Sequence, residues 1–175
     1  MNTNTPPQSP NEAALFALLK QASITTETVE HAAVFTVEES AAIKADLPGG
    51  HTKNLFLKDK SGAYALVCAV SDTVIKVNKL HPQIGMKRLS FGKADALEDK
   101  LGVKPGSVTL FSIINDTEGE VRLILDKALF DHTKVWFHPL RNTASTAIST
   151  SDIEKFAKAT GHTPTVIDFA ALLED

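Results

Sequence analysis

The 175-residue chain has a formal net charge of −3, with 43% hydrophobic and 22% charged residues, so no overall basic field marks it as a nucleic-acid binder. Its length favours one domain that buries its own core without disulfides or metal ions. No stretch reaches the ~18 apolar residues of a membrane span, and the N-terminus lacks the basic and apolar regions of a signal peptide. We therefore expect a cytoplasmic protein in which any contact with RNA comes from a local basic patch.

The cysteine and histidine content argues against a metal site. The single cysteine, Cys68, lies within an apolar run and can form neither an internal disulfide nor a zinc site built from cysteines. Because free cysteine is among the most buried residue types, we interpret Cys68 as a core residue rather than a nucleophile. None of the six histidines has a second histidine at the i, i+4 spacing of a helical metal site. We expect no metal and no cofactor.

The N-terminal residues predict a tail followed by a capped helix. Residues 1–8 are polar and contain proline, which is typical of disorder, and we expect one domain over residues 9–175. Ser9 is placed to cap a helix, Pro10 suits its first turn, and Glu12 completes a capping box. The leucines that follow at helical spacing predict one buried face.

A strand, a short helix and a hairpin follow. Residues 25–35 predict an extended segment with imperfect alternation, and a capping box at residues 36–39 opens a short helix. Residues 54–58 and 63–70 are rich in strand-forming side chains. The Asp-Lys-Ser-Gly turn at residues 59–62 joins them, which predicts a β-hairpin.

The central part of the chain predicts two helices on either side of a short strand. Residues 78–84 predict the first helix and residues 88–91 the strand. Residues 93–101 predict the second helix, which Gly102 is placed to terminate.

The C-terminal half predicts more strands and a last helix. Residues 107–114 and 120–126 predict a second hairpin, and residues 135–140 and 144–149 two further strands. A third capping box opens a helix over residues 151–161. The whole pattern predicts an α+β fold, with a mixed, mainly antiparallel sheet and helices packed around it.

Two glycine-containing loops are candidate functional elements. Residues 48–53 lead directly into a strand, so the direction of Lys53 is fixed and its ammonium could hold a phosphate or an ester oxygen. The alternative is a solvated lysine on an edge strand. In the loop at residues 101–107, glycines would let a ligand approach the backbone, and free amides could donate to an oxyanion. The alternative there is a plain connection between a helix and a strand.

A third feature is the segment at residues 136–146. His138 lies between an aromatic residue and a proline, and a hydroxyl-rich strand follows, so the segment could line a small polar pocket. It could equally be a core strand that ends in a turn. No nucleophile elbow, phosphate-binding loop or zinc-binding helix motif is present in the sequence. The residues alone therefore indicate an α+β domain with suggestive loops.

The same segments resemble a known family. Their order in the chain is similar to that of the YbaK/prolyl-tRNA-synthetase editing-domain superfamily, and most similar to its free-standing alanyl-tRNA(Pro) deacylases. The resemblance extends from about Ala14 to His162. The segments that carry it are residues 52–59, 88–91, 101–109 and 137–143, and the strand with Thr146 and Ser149.

This resemblance implies a barrel-like form of the α+β fold and a trans-editing activity that hydrolyses the ester of a mischarged tRNA. Lys53 matches the family lysine that engages the 3′-terminal adenosine. Gly102 and Gly106 match the loop beside the scissile ester, whose backbone amides could stabilise an oxyanion. No protein nucleophile is required, since the terminal ribose 2′-hydroxyl helps to activate water in the family mechanism.

The resemblance also implies a substrate-binding set. Asn54 and Pro105 match residues beside the family lysine and within the glycine loop, and Thr146 lies on the hydroxyl-rich strand. His138 matches a pocket histidine associated with the choice of amino acid. One departure is Leu110, which stands where the family has a proline.

The implied partner is the acceptor end of mischarged tRNA, with prolyl-tRNA synthetase as a further partner and neither DNA nor a membrane. Size exclusion would admit an alanyl methyl group and reject the prolyl ring. One alternative is a deacylase for cysteinyl, seryl or threonyl esters. Another is a non-catalytic RNA-binding or synthetase-associated module, against which the pairing of Lys53 with the glycine loop argues.

Overall fold

The computed structural model describes residues 9–33 and 37–174. Within these ranges the α-helices are α1 Pro10–Gln21, α2 Val37–Asp46, α3 Val77–Gln83, α4 Ala94–Leu101 and α5 Ile153–Ala159. The strands are β1 Thr26–Glu30, β2 Gly50–Asp59, β3 Tyr64–Val70, β4 Leu89–Phe91, β5 Val121–Asp126, β6 Lys134–Phe137, β7 Ala144–Ser149 and β8 Thr165–Ile167. No helix of the described ranges is both long and apolar enough to span a membrane.

The strands form one mixed sheet in the order β1-β7-β6-β2-β3-β5-β8, with β4 added to β2. The pairs β1/β7, β6/β7, β2/β3 and β2/β4 are antiparallel. The pairs β2/β6, β3/β5 and β5/β8 are parallel. The predicted mixed, mainly antiparallel α+β architecture is confirmed. Strand β2 lies in the middle of the path and pairs with three other strands.

Locally encoded elements agree with the sequence. Ser9 caps α1, because its Oγ accepts a hydrogen bond from the Glu12 amide at 3.1 Å. The predicted hairpin joins β2 to β3, and the Asp59 carboxylate accepts from the Ser61 and Ala63 amides, each at 2.9 Å. The predicted tail at residues 1–8 and the start of the second capping box, Thr36, lie outside the described residues.

The second predicted hairpin is wrong. Leu110–Asn115 forms a buried 3₁₀ helix instead of a strand, and Thr109 caps it by accepting from the Phe111 amide at 3.3 Å. Strand β5 pairs in parallel with β3, which is distant in sequence. A short apolar run does not distinguish a buried strand from a buried helix, and the hydroxyl of Thr109 decides locally for the helix. Leu110, the departure from the family pattern, is the first residue of this helix.

The helix predicted over residues 151–161 is present as α5, but its capping box is not made. A 3₁₀ turn at Thr150–Asp152 precedes α5, and neither element has a side-chain cap. The Ser151 hydroxyl is instead bonded to the Ser149 hydroxyl at 2.8 Å. Strand β8 was not predicted.

The core lies between the sheet and the helices. Phe111 packs edge to face against Phe137 and Phe156, with ring centroids 5.6 and 5.4 Å apart. Cys68 is fully buried on β3, as expected for a core residue. Burial raises the pKa of its thiol, so it does not have the exposed thiolate of a reactive cysteine.

Candidate active site

A loop and two parallel strands frame the candidate site. Thr52 on β2 donates its hydroxyl to the Trp136 carbonyl on β6 at 2.6 Å, and the Trp136 indole donates to the Pro48 carbonyl at 2.9 Å. Gly49 has a φ of 121°, and a Cβ there would lie 2.9 Å from the Lys134 carbonyl oxygen. The glycine is therefore required for the close approach of this loop to β6.

A cavity of about 130 Å³ opens between these strands. Pockets for drug-sized ligands usually reach ~300–1,000 Å³, so this one suits a small group. Among the described residues, no cluster of three or more His, Cys, Asp or Glu side chains is arranged to hold a metal ion. The cavity lining is His31, Ile43, Lys44, His51, Thr52, Asn54, Trp136, Phe137, His138 and Ser145.

Two cavity histidines are held as neutral acceptors. His138 Nδ1 donates to the Ala144 carbonyl at 2.9 Å, which leaves Nε2 without a hydrogen in the neutral ring. His51 Nε2 donates to the Leu47 carbonyl at 2.8 Å, which leaves Nδ1 as the acceptor. Burial lowers the pKa of His138, with a smaller lowering from the charge of His31. Burial likewise lowers the pKa of His51.

Asn54 supplies a third acceptor. In the described part of the chain its Oδ1 is buried and has no hydrogen-bond partner. A buried unsatisfied polar atom costs about 1–3 kcal/mol, so such an atom in a cavity points to a donor that arrives with water or a ligand. The cavity thus combines hydrogen-bond acceptors with a lining that includes Trp136 and Phe137 of β6.

The turn after His138 is anchored from two sides. Leu140 has a φ of 69°, a conformation that non-glycine residues rarely adopt. Arg141 donates to the buried carboxylate of Glu12 on α1 at 3.0 Å and to Glu30 on β1 at 2.9 Å. These ion pairs hold the strained turn and thereby fix the position of His138.

Lys53 does not line the cavity. Successive side chains of a strand point to opposite faces, so Lys53 and Asn54 leave β2 in opposite directions. The Lys53 ammonium donates to the Thr73 carbonyl. The Thr73 hydroxyl in turn donates to the buried carboxylate of Asp126 at 2.5 Å. The ammonium is therefore bonded to the protein and not only to solvent. At Lys53 β2 pairs with β3 alone, so the edge-strand position that the alternative assumed is present locally.

The glycine loop lies beside the His138 turn. Gly102 ends α4 with a φ of 65°, and a Cβ there would lie 2.9 Å from Asn115 Nδ2. Gly106 has a φ of 92°, and the nearest atom to a Cβ at that position is Asn142 Nδ2 at 3.9 Å. Pro105 and both glycines are exposed and are not part of the cavity lining. The loop therefore approaches the turn after His138 at Asn142 and does not line the cavity.

Comparison with known proteins assigns the family. Residues 31–156 match the sequence model of the aminoacyl-tRNA editing domain. The chain belongs to this family. The mouse prolyl-tRNA synthetase associated domain-containing protein 1 is 42% identical to this editing domain over 152 residues, which cover 84% of this chain and 89% of the mouse protein. The prolyl-tRNA editing protein ProX of Acetoanaerobium sticklandii is 36% identical over 151 residues, or 86% of this chain and 92% of ProX.

The fold of the editing domain recurs among solved structures. A crystal structure described as that of a candidate trans-editing enzyme for prolyl-tRNA synthetase superposes with a TM-score of 0.67 at 18% identity. It covers 91% of this chain and 96% of the other, and it supports the fold alone. The resemblance to the editing-domain superfamily seen in the sequence is confirmed.

Among the residues predicted for the site of this editing domain, Asn54 and His138 meet in the cavity, whereas Thr146 does not. Thr146 is buried on β7 and its hydroxyl is bonded to that of Thr28 at 2.8 Å. The neighbouring Ser145 lines the cavity instead, 2.9 Å from His31 Nε2. Ser145 lies within the segment predicted to line a pocket but was not named as a site residue, and His31 was not predicted to belong to the site. Strand alternation contains the signal, since the hydroxyls of residues 145 and 146 must face opposite sides.

Proposed function

We propose that this editing domain is a trans-editing deacylase that hydrolyses the ester of mischarged tRNA, with alanyl-tRNA(Pro) as its substrate. The single observation that carries the proposal is the buried, unpartnered Oδ1 of Asn54 in a small polar cavity. The names of the mouse relative and of ProX, which refer to prolyl-tRNA synthetase and to prolyl-tRNA editing, support a tRNA substrate. A cytoplasmic location follows from such a substrate and stays a prediction.

The acceptors of the cavity suit the α-ammonium of an aminoacyl ester. An ammonium group carries three donors and no acceptor, so it needs oxygen or nitrogen lone pairs around it. Asn54 Oδ1 and the free Nε2 of neutral His138 both supply them. Neutral histidines also avoid repelling the cation, which is the reason that their lowered pKa matters here.

The size of the cavity accounts for the choice of a small amino acid. Trp136 and Phe137 of β6 are part of its lining and are both almost fully buried, so this side of the cavity cannot move without displacing the core. In the proposal, an alanyl methyl group is accepted against this side of the cavity and a prolyl ring is rejected by a clash with it. Exclusion by clash discriminates more strongly than the ~1–3 kcal/mol available from one missing methylene.

Hydrolysis of an aminoacyl ester needs a positioned water molecule and a stabilised oxyanion. In the proposed mechanism, Asn54 and His138 hold the amino acid. Lys53 leaves the opposite face of β2, where its ammonium is bonded to the Thr73 carbonyl, so its role at the 3′-terminal nucleotide stays a prediction. The Gly102–Gly106 loop donates backbone amides to the oxyanion, and the ribose 2′-hydroxyl helps to activate water. Lys53 is already oriented by Thr73 and Asp126.

A seryl ester is the second candidate substrate. His31 Nδ1 donates to the Ala32 carbonyl, so the Ser145 hydroxyl donates to His31 Nε2 and its oxygen is left to accept a hydrogen bond from a serine hydroxyl. This polar lining favours seryl-tRNA over the threonyl and cysteinyl esters, which are larger or less polar.

A deacylation panel tests the proposal. The purified protein is incubated, without added metal or nucleotide, with alanyl-, seryl-, threonyl-, cysteinyl- and prolyl-tRNA(Pro). We expect fastest release of alanine, slower release of serine and no release of proline. Failure to hydrolyse any of these esters above the spontaneous rate would remove the enzymatic assignment and leave the RNA-binding alternative. Preferential hydrolysis of the seryl ester would replace alanine by serine as the substrate.

A further inference from the structure

A second concavity lies at the other end of β2 and differs from the first in charge. It has a volume of about 450 Å³ and includes Lys58 and Lys60 at the end of β2, Arg88 and Phe91 around β4, and Lys93 before α4. We call this surface the basic groove. It is built by the β2/β4 pairing, in which Leu57 lies opposite Phe91 and Lys58 opposite Ser90.

The cations of the groove are not neutralised by the protein itself. Lys58, Lys60, Arg88 and Lys93 take part in no ion pair within the described residues, although the chain carries a net charge of −3. The one carboxylate of the lining, Asp59, is bonded to backbone amides and to a serine hydroxyl rather than to these cations.

Hydrogen bonding keeps that carboxylate ionised and fixed in place. The Ser61 hydroxyl donates to Asp59 at 2.7 Å and the Lys87 amide at 2.9 Å, and these bonds hold the pKa of Asp59 below its usual range. The groove therefore contains four cations and one carboxylate, and the carboxylate is already hydrogen-bonded to other groups. A concentration of unpaired positive charge on an acidic protein is complementary to a polyanion.

An exposed aromatic ring accompanies the cations. Phe91 is 67% exposed, more than the other large hydrophobic side chains described as exposed. The following residue, Gly92, donates its amide to the Phe56 carbonyl at 2.9 Å, and a Cβ at Gly92 would lie 2.3 Å from Phe56 Cδ2. This close contact holds the backbone of β4 and leaves the Phe91 ring in solvent. Aromatic rings beside cations are the elements with which proteins stack unpaired nucleobases.

The basic groove and the cavity share one face of β2. Asn54 and Lys58 are separated by an even number of residues, so their side chains leave the same face of the strand, about 13 Å apart at ~3.3 Å per residue. Phe56 lies between them on that face and is stacked on Tyr64 with ring centroids 5.1 Å apart. Phe56 is itself buried, so a nucleotide chain that joins the cavity to the groove has to pass over the packed segment between them.

We propose that the basic groove binds the acceptor end of the substrate tRNA, with Lys58, Arg88 and Lys93 on backbone phosphates and Phe91 against an unpaired base near the 3′ terminus. The identity of the RNA rests on the proposed function. The basic groove extends recognition of the tRNA beyond the aminoacyl group and allows an acidic protein to bind RNA through a local patch.

A matched pair of charge-reversal variants tests this surface. The double variant Lys58→Glu/Arg88→Glu is compared with Lys20→Glu/Lys158→Glu, in which two exposed lysines of α1 and α5 are reversed with nearly the same change in net charge. Thermal melts check that both variants fold. Affinity for uncharged tRNA(Pro) is measured by fluorescence anisotropy between 50 and 200 mM salt.

The groove variant should bind at least tenfold more weakly, with the salt slope reduced by about 1.4–1.8, since each lost phosphate contact removes ~0.7–0.9. The control variant should keep the wild-type slope. Equal weakening in both variants would mean that the affinity responds only to the net charge of the protein. Unchanged binding by the groove variant would exclude RNA as the ligand of the basic groove and leave a protein partner as the alternative. Either result overturns the proposal.

Phe91→Ala separates stacking from charge. It should weaken binding about tenfold without changing the salt slope, because stacking on a base releases no counterions. The control is Phe130→Ala, which removes a 37%-exposed ring outside the groove lining. Equal affinity of Phe91→Ala and wild type would overturn the role of the ring. All these measurements use uncharged tRNA, so they test whether the basic groove binds RNA even if the deacylation panel gives no activity.

Discussion

At its start β2 borders a small cavity whose lining combines neutral acceptors with one lysine, Lys44, whereas at its end it borders an open groove with four unpaired cations. Asn54 and His138 in the cavity are screened from water, so hydrogen bonds and clashes there are strong and the site can choose one small group. Lys58 and Arg88 in the groove are exposed, so their attraction is long-ranged, weakened by salt and independent of sequence. In the proposed function, the cavity at one end of β2 therefore selects the amino acid, and the basic groove at the other end contributes affinity for RNA.

The largest expected effect comes from Lys53, which lines neither the cavity nor the basic groove. If Lys53 acts at the ester or the 3′ end, as the resemblance implies, Lys53→Ala should slow deacylation of every accepted ester together. The expected loss is about 100–1,000-fold, the size measured when one hydrogen bond to a transition state, worth ~2.7–4 kcal/mol, is removed. The measurement is single-turnover hydrolysis of alanyl- and seryl-tRNA, with folding checked by thermal melt. Near wild-type rates in the folded variant would mean that the bond to Thr73 is purely structural.

Asn54 should show opposite effects on activity and on stability. Asn54→Leu removes a buried acceptor that lacks a partner, so the folded state should gain about 1 kcal/mol while kcat/KM falls about 10–100-fold through a lost hydrogen bond to a charged group. The matched control is Ser71→Ala, which removes the other buried side-chain oxygen that has no partner among the described residues and should leave deacylation unchanged. Equal activity of the two variants would exclude a role for Asn54 in binding substrate.

These two residues also illustrate what the sequence predicts. Lys53 and Asn54 were identified together by resemblance, but their separation onto opposite faces requires the strand that the structure supplies. The hairpin at Asp59 was predicted because its turn bonds are local. The parallel pairing of β3 with β5 was missed because it joins residues far apart in sequence, and the 3₁₀ helix after Thr109 was missed because a short apolar run carries no period of its own.

His138 should affect selectivity more than rate. His138→Ala enlarges the cavity, so larger esters should gain relative to the alanyl ester, by about tenfold if the gain resembles that of one added methylene. The ratio of kcat/KM for alanyl-, seryl- and prolyl-tRNA measures this. A uniform slowing of all three esters would contradict a role in selection.

The same residue should make stability depend on pH. Burial lowers the pKa of His138 below 6.5, so the unfolded chain binds a proton before the folded one does. Its contribution to stability is therefore fully present above pH 6.5 and is lost as the pH falls from 6.5 through the folded-state pKa. Thermal melts from pH 8 to 5 should show a decline that is shallower in His138→Phe. An identical decline in both proteins would place the titration elsewhere, with His51 the first alternative.

The smallest effect on activity is expected at Cys68. Cys68→Ala should cost about 1 kcal/mol of stability through a small cavity in the core and leave turnover unchanged. Chemical denaturation and the deacylation assay measure the two quantities. Inactivation of a folded variant would make the thiol a nucleophile and contradict the water mechanism.

The proposed binding of the aminoacyl group in the cavity and of RNA in the basic groove is tested most directly with two substrates of different size, alanyl-tRNA(Pro) and 3′-alanyl-adenosine. Single-turnover hydrolysis of each is measured for wild type, Asn54→Leu and Lys58→Glu/Arg88→Glu. The cavity variant should lose the same factor on both substrates, whereas the groove variant should lose activity on the tRNA and keep the wild-type rate on the nucleoside ester. Wild-type rates of Asn54→Leu on both substrates would contradict the central claim that the aminoacyl group binds in the cavity.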